Sequence, residues 1–70
     1  MRLAVTPDQT GLRFYSTRDL STLLGVPIST IEHWRSQGKG PRFVKWGRHV
    51  RYTDDAIRAY IAENEYDETQ

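Results

Sequence analysis

Apolar side chains recur at helical spacing in three short stretches of the chain. In each stretch they fall three or four residues apart, so that one face of a helix is apolar and the other polar. The predicted buried positions, helix by helix, are Leu20, Leu23 and Leu24; Ile31 and Trp34; and Ile57, Tyr60 and Ile61. The pattern therefore predicts three short amphipathic helices, each of which buries one stripe.

The first helix has clear signals at both ends. Ser16 is a capping residue and Asp19 stands three positions later, as in a capping box. Tyr15 and Leu20 occupy the two positions that form a hydrophobic staple across a helix start. Gly25 supplies the left-handed residue that ends a helix. The helix is therefore predicted to begin after Ser16 and to end at Gly25.

The second helix follows after a tight turn. It is predicted to begin between Pro27 and Ser29, where Ser29 and Glu32 form a second capping box, and to end at Gly38. Two short helices joined by a tight, glycine-containing turn are the layout of a helix-turn-helix. On the second helix, the face opposite Ile31 and Trp34 is polar and is expected to face outward.

Between the second and third helices the apolar period changes to two. Residues 42–46 and 50–52 alternate and are rich in aromatic and β-branched side chains, which predicts a β-hairpin. A two-residue loop would pair Trp46 with His49 and divide the apolar side chains between both faces of the sheet. A three-residue loop is the preferred register, because it gathers these side chains on one face and turns Lys45 and Arg51 outward. Whether Trp46 lies in the core or faces a ligand depends on this register.

The third helix is predicted to begin after Thr53, a capping residue. Asp54 and Asp55 follow in its first turn, where the helix dipole favours negative charge, and this explains the carboxylate pair without a catalytic role. Residues 1–12 show no sustained period and are predicted to form a flexible arm. The remaining chain divides into a folded domain at residues 13–62 and an acidic tail at residues 63–70.

Length and composition restrict the possible functions. The chain has 70 residues and no cysteine, so it holds one small domain without a disulfide framework, which suits the reducing cytoplasm. No apolar run is long enough to span a membrane. A deep catalytic cavity is hard to build at this size, so the chain is expected to bind rather than to catalyse. His33 and His49 lack a third ligand type, and no metal or other cofactor is expected.

The charges are segregated along the chain. Residues 1–34 carry three basic and three acidic side chains, residues 35–51 carry six basic side chains and no acid, and residues 52–70 carry six acids and one arginine. A basic block beside an acidic tail occurs at a nucleic-acid surface with a separate tail for a partner, and equally in a solvated loop beside a solvated helix, so charge alone does not decide between them. The basic block consists of Arg35, Lys39, Arg42, Lys45, Arg48 and Arg51.

Two runs of the sequence resemble a known superfamily. Residues 25–34, GVPISTIEHW, with Gly38 and Pro41 after them, are similar to the helix-turn-helix of the excisionase and MerR-like winged-helix proteins. Residues 41–52, PRFVKWGRHVRY, resemble the wing of that group, and residues 53–61 resemble its closing helix. The likeness covers roughly residues 13–62. It implies an α+β fold, a small winged helix-turn-helix with three short helices and a two-stranded hairpin wing.

The resemblance also implies which side chains face DNA. Carried over by position, the helix residues are Ser29, Thr30, Glu32, His33 and Ser36, and the wing-tip residue is Arg48. Members of the superfamily often carry arginines on this helix face, and a capping serine in place of Pro27. The basic block adds further expected DNA contacts at Arg35, Lys39, Lys45 and Arg51. Arg35 lies nearer the buried side of its helix.

Phage excisionases, also called recombination directionality factors, consist almost entirely of these elements. The resemblance therefore implies a DNA-bending protein without enzymatic activity, in a bacterial cytoplasm. Its second helix would bind the major groove, its wing the minor groove or the phosphates. The implied partners are duplex DNA, a phage integrase and further copies along one site. Two alternatives remain: a small transcriptional regulator of the same superfamily, and a protein-interaction module with a basic face.

Overall fold

The computed structural model describes residues 12–66 of the chain, which form three helices and one antiparallel sheet. The elements are strand β1 (Phe14–Tyr15), helix α1 (Thr17–Leu24), helix α2 (Ile28–Ser36), strands β2 (Val44–Trp46) and β3 (His49–Thr53), and helix α3 (Asp54–Glu63). The strand order is β1-β3-β2. This confirms the predicted α+β winged helix-turn-helix. Most of the predicted arm and the end of the predicted tail lie outside the described residues.

Local signals set the ends of α1 and α3 as predicted. The Ser16 hydroxyl accepts a hydrogen bond from the Asp19 N–H at 3.0 Å, and the Asp19 carboxylate accepts one from the Ser16 N–H at 3.1 Å. This is the predicted capping box, and Gly25 ends α1 in the left-handed conformation. At α3 the Thr53 hydroxyl accepts from the Ala56 N–H at 3.1 Å. Both caps satisfy backbone donors that a helix start leaves unpaired.

Helix α2 begins at Ile28, between Pro27 and Ser29 as predicted, but its cap differs from the prediction. Pro27 is the N-cap residue and makes no side-chain cap, so the predicted capping box from Ser29 to Glu32 is wrong. Because the chain already turns helical at Ile28, Ser29 lies inside the first turn, where its side chain faces outward. The predicted stop at Gly38 is confirmed, since the N–H of Lys39 donates to the Trp34 carbonyl at 2.7 Å.

One side chain from each major element forms the core. Leu20 of α1, Ile31 of α2, Tyr52 of β3 and Ile57 of α3 are buried together. The partly buried residues around them are Tyr15, Leu24, Val26, Trp34 and Val50. Tyr15 packs against this cluster, which includes Leu20, its predicted partner in the staple.

Two residues predicted on buried stripes are exposed. Leu23 is 56% exposed and Ile61 is 45% exposed, so the prediction is wrong for both. From α1, Leu20 is buried in the core and Leu24 packs against it, so Leu23 is not needed there. Leu23 instead borders a surface cleft together with Phe14 and Thr22.

The hairpin has a two-residue loop, so the preferred three-residue register is wrong. Trp46 pairs with His49, and Gly47 and Arg48 form the turn. Gly47 has φ +58°, and no non-glycine residue among residues 12–66 has positive φ, which is the pattern of a type II′ turn with glycine at its first central position. This turn matches the twist of the two strands, and it puts Lys45 and Arg51 on opposite faces of the sheet.

Strand β1 is the element that sequence analysis missed. Tyr15 pairs with Tyr52 and Phe14 with Thr53, so the segment before α1 adds an edge to the sheet. The Phe14 ring meets the Trp46 ring edge-on across β3, with centroids 5.4 Å apart. A non-local partner therefore accommodates Trp46 on the face opposite the core.

The α1 capping box makes a testable contribution to acid stability. The backbone N–H and then the side chain of Ser16 hold the pKa of Asp19 below its ordinary value of 3.8 by hydrogen bonding to the carboxylate. Stability from this pair is present above that ordinary value and is lost as the pH falls through the lowered pKa. We expect Asp19→Asn to flatten the acid limb of the stability profile, measured by melting at neutral pH and at about pH 3. An acid limb as steep as that of the unsubstituted chain would contradict this.

Candidate nucleic-acid interface

The outward face of α2 carries most of the predicted helix contacts. Ser29, Glu32, His33 and Ser36 are exposed, whereas Thr30 is half-buried. The Ser36 hydroxyl donates to the His33 carbonyl at 2.8 Å, which leaves its oxygen lone pairs facing outward. This face is short and polar, so it can approach base edges closely.

Trp34 fixes the inner side of α2. Its ring lies 5.4 Å from that of Tyr60 on α3, in a tilted arrangement. On another side the chain turns back at Gly40, where a Cβ would stand 3.0 Å from Trp34 Cε3. The helix is thus held between α3 and the loop that leads to the wing.

The wing tip carries a cation on a tight turn. Arg48 follows Gly47 in the two-residue loop and is exposed. Lys45 is also exposed, on the face that carries Val50, while Arg51 lies half-buried on the other face and donates to the Val50 carbonyl at 2.8 Å. The predicted outward pairing of Lys45 with Arg51 is therefore wrong, because the two-residue loop separates them.

Arg35 has partners inside the domain. Its Nη1 donates to the Tyr52 hydroxyl at 3.0 Å and to Thr17 Oγ1 at 3.3 Å. The guanidinium also lies 5.9 Å from the centroid of the Phe43 ring. The half-buried Arg35 thus joins α2 to α1 and β3, away from the exposed polar face.

Four of the other five cations of the block lack an ion-pair partner among the described residues. Lys39, Arg42, Lys45 and Arg48 are exposed and form no salt bridge within residues 12–66. The ion pair found in that range joins Arg58 to Asp54 at 3.1 Å, within α3. Exposed cations without internal partners are available to phosphates. Arg42 belongs to this set although no resemblance singled it out; its position in the acid-free block was the signal.

Residues 12–66 contain no cluster of three or more histidine or carboxylate side chains that could hold a metal ion. None of their helices has the length and apolarity needed to cross a membrane.

Comparison with known proteins agrees with this geometry at the level of the domain. No curated protein and no solved structure matches the chain. The helix-turn-helix domain family matches residues 14–65, which include every helix and strand described above. That family includes excisionase-like DNA-binding domains and is typically non-enzymatic. With this match over most of its length, the chain belongs to the helix-turn-helix domain family, whose fold serves DNA binding.

Proposed function

We propose that the chain is a sequence-specific architectural DNA-binding protein that acts as an excisionase. In this role it binds and bends attachment-site DNA, so that a phage integrase carries out excision rather than integration. The observation that carries the proposal is the combination of an exposed polar face on α2 with a cationic wing tip at Arg48. The resemblance of residues 25–34 and 41–52 to excisionases supports the same reading.

The two elements have different tasks in the complex. Helix α2 enters the major groove, where Ser29 and His33 can bond either to acceptors or to donors on base edges and Glu32 can accept from cytosine. The wing carries Arg48 to the phosphates or into a narrow minor groove, where the negative potential is strongest. Lys39 and Lys45 add phosphate contacts, which position the domain without reading sequence.

Architectural action requires more than one copy. A single module of this size covers roughly 600–1,000 Å² of its own surface on DNA. Smooth bending of a 20–30 base-pair site costs about 1–6 kcal/mol, which one such footprint repays poorly. We therefore include self-association along the site, and contact with the integrase, in the proposal.

Excision from a supercoiled plasmid tests the proposal. A candidate cognate integrase is supplied with a substrate that carries both attachment sites, and products are measured with and without the chain. We expect excision to depend on the chain and integration to be reduced by it. Arg58→Ala removes a cation outside the basic block. As a control variant of the chain, it should retain full activity in this assay. Binding to the site with no effect on either reaction would favour a small transcriptional regulator.

The helix face has its own prediction. Ser29→Ala and His33→Ala should change the ranking of DNA sequences, since base-edge contacts specify. We expect about 1–3 kcal/mol to be lost at the base that each side chain contacts, measured by competition among variant duplexes. Equal weakening on specific and random duplexes would show that α2 does not read bases.

A further inference from the structure

The sheet has an exposed apolar surface on the side away from the core. Phe14 of β1 and Val44 and Trp46 of β2 share this face, and we call them the outer patch. Phe14 and Val44 are each 37% exposed and Trp46 is 50% exposed. The edge-on contact of the two rings crosses β3, so the patch extends over the width of the sheet. DNA binding through α2 and the wing tip leaves this surface unused.

The charges around the outer patch differ from one end to the other. Asp19 borders the same cleft as Phe14 and Asp55 borders the same cleft as Val44, whereas cations lie around Trp46. Arg51 lies on the same face of the central strand, His49 pairs with Trp46, and Arg48 follows at the turn. The strand side chains on this face include no carboxylate. A partner complementary to the Trp46 end of the outer patch is therefore an apolar or aromatic anchor flanked by acidic groups.

The chain itself contains such a segment. Tyr66 stands beyond the end of α3, is 80% exposed, and is flanked in sequence by Glu65, Asp67 and Glu68. We propose that this acidic tail of one copy docks Tyr66 on the outer patch of a second copy. The inference rests on the proposed function in that it names a contact for the self-association included there.

The geometry favours a second copy over the tail's own domain. Helix α3 has ten residues and carries its end about 15 Å beyond Thr53. Its last turns pack through Tyr60 against Trp34, which belongs to the helical side of the sheet. From Glu63 to Tyr66 the chain reaches at most about 11 Å. Tyr66 is 80% exposed, so it does not lie on the outer patch of its own domain.

The contact is heterologous, because each copy offers one tail and one outer patch. A short tail buries much less than the roughly 1,200 Å² of a stable interface, so the contact is weak between free copies. Copies bound side by side hold tail and patch at a high effective concentration, and the contact then becomes significant. We expect a dissociation constant of roughly 0.1–1 mM in solution.

Two complementary variants test the contact without DNA. The reporter chain carries Trp34→Phe and Tyr66→Ser, so that Trp46 is its one tryptophan and its own tail lacks the anchor. The donor chain carries Trp34→Phe and Trp46→Ser, so that it has an intact tail and no fluorescence from tryptophan. Adding donor to reporter should give a saturable change in Trp46 emission that weakens with salt.

The control donor carries Tyr66→Ser as well and should leave the emission unchanged. The proposal is overturned by no change at about 1 mM donor, or by an equal change with the control donor. It is also overturned if a Trp34→Phe chain with its tail intact shows the change at every dilution, since the tail would then occupy its own patch. Because no DNA is present, failure here leaves DNA bending untouched, and failure of the excision assay leaves this contact untouched.

A second measurement covers the case in which Trp34→Phe impairs folding. Phe14→Ser damages the outer patch and Tyr66→Ser damages the tail, while both keep Trp34. In sedimentation, each variant alone should remain monomeric, and their mixture should regain association at half the sites of the unsubstituted chain. A mixture that behaves as the sum of its parts contradicts the proposal.

Discussion

Gly40→Ala is expected to lower the free energy of unfolding by about 2–4 kcal/mol, the largest stability loss that we predict for one added methyl group. Gly40 has φ +85°, a conformation that costs an L-residue about 1–2 kcal/mol. The new Cβ would also lie 3.0 Å from Trp34 Cε3 and 3.1 Å from Trp34 Cβ. Trp34 has little room to move away, because it packs against Tyr60. Thermal and urea unfolding measure the loss.

Gly38→Ala is the matched control for this prediction. Gly38 also has positive φ, at +71°, but a Cβ there would have no neighbour within 4 Å. It should therefore cost about 1–2 kcal/mol, from backbone strain alone. Equal losses for the two variants would show that the Trp34 contact does not restrict this loop.

Arg48→Ala should produce the largest loss of DNA affinity at the smallest cost in stability. Arg48 is exposed at the hairpin tip, so its removal should alter stability by less than about 0.5 kcal/mol. On duplex DNA we expect the unsubstituted chain to give a log–log salt slope of about −4 to −5 per protomer, and the variant to lower its magnitude by about 1. Affinity should fall on specific and random duplexes alike, measured by titration at several salt concentrations.

Arg58→Ala removes the same charge from a different part of the molecule. Arg58 pairs with Asp54 on α3, outside the basic block, and its replacement should leave the salt slope unchanged. If Arg48→Ala binds normally but melts several degrees lower, the wing tip is structural and the DNA surface is misplaced. A slope near zero for the unsubstituted chain would contradict DNA binding itself.

The parts of the fold that sequence analysis predicted are those set by neighbouring residues. The caps at Ser16 and Thr53 and the stop at Gly38 each depend on hydrogen bonds within about one turn of helix. Such signals can be recognised in a single sequence, because each capping residue lies close in the chain to the backbone N–H or C=O group that it satisfies. The exposed face of α2 follows from the same local periodicity.

The prediction is wrong for the hairpin register and omits strand β1, and both depend on contacts between residues far apart in the chain. The three-residue hairpin register keeps Trp46 with the other apolar side chains, yet Phe14, some thirty residues earlier, provides its partner on the opposite face. Strand β1 is too short to give a periodic signal of its own, and it exists because β3 offers an edge. Lys45 and Arg51, which are predicted on one outward face, lie on opposite faces of the sheet because of this register.

Arg35 has a consequence for the thermodynamics of DNA binding. Its guanidinium bonds to Tyr52 of β3 and Thr17 of α1 and lies beside Phe43, which leads into β2. Helix α2 and the wing are therefore held together through one side chain in the free protein. A duplex meets two elements whose relative orientation is already set, so association forfeits little conformational entropy. Arg35→Lys keeps the charge but loses the planar guanidinium, so α2 and the wing would no longer be held in one relative orientation before DNA binds.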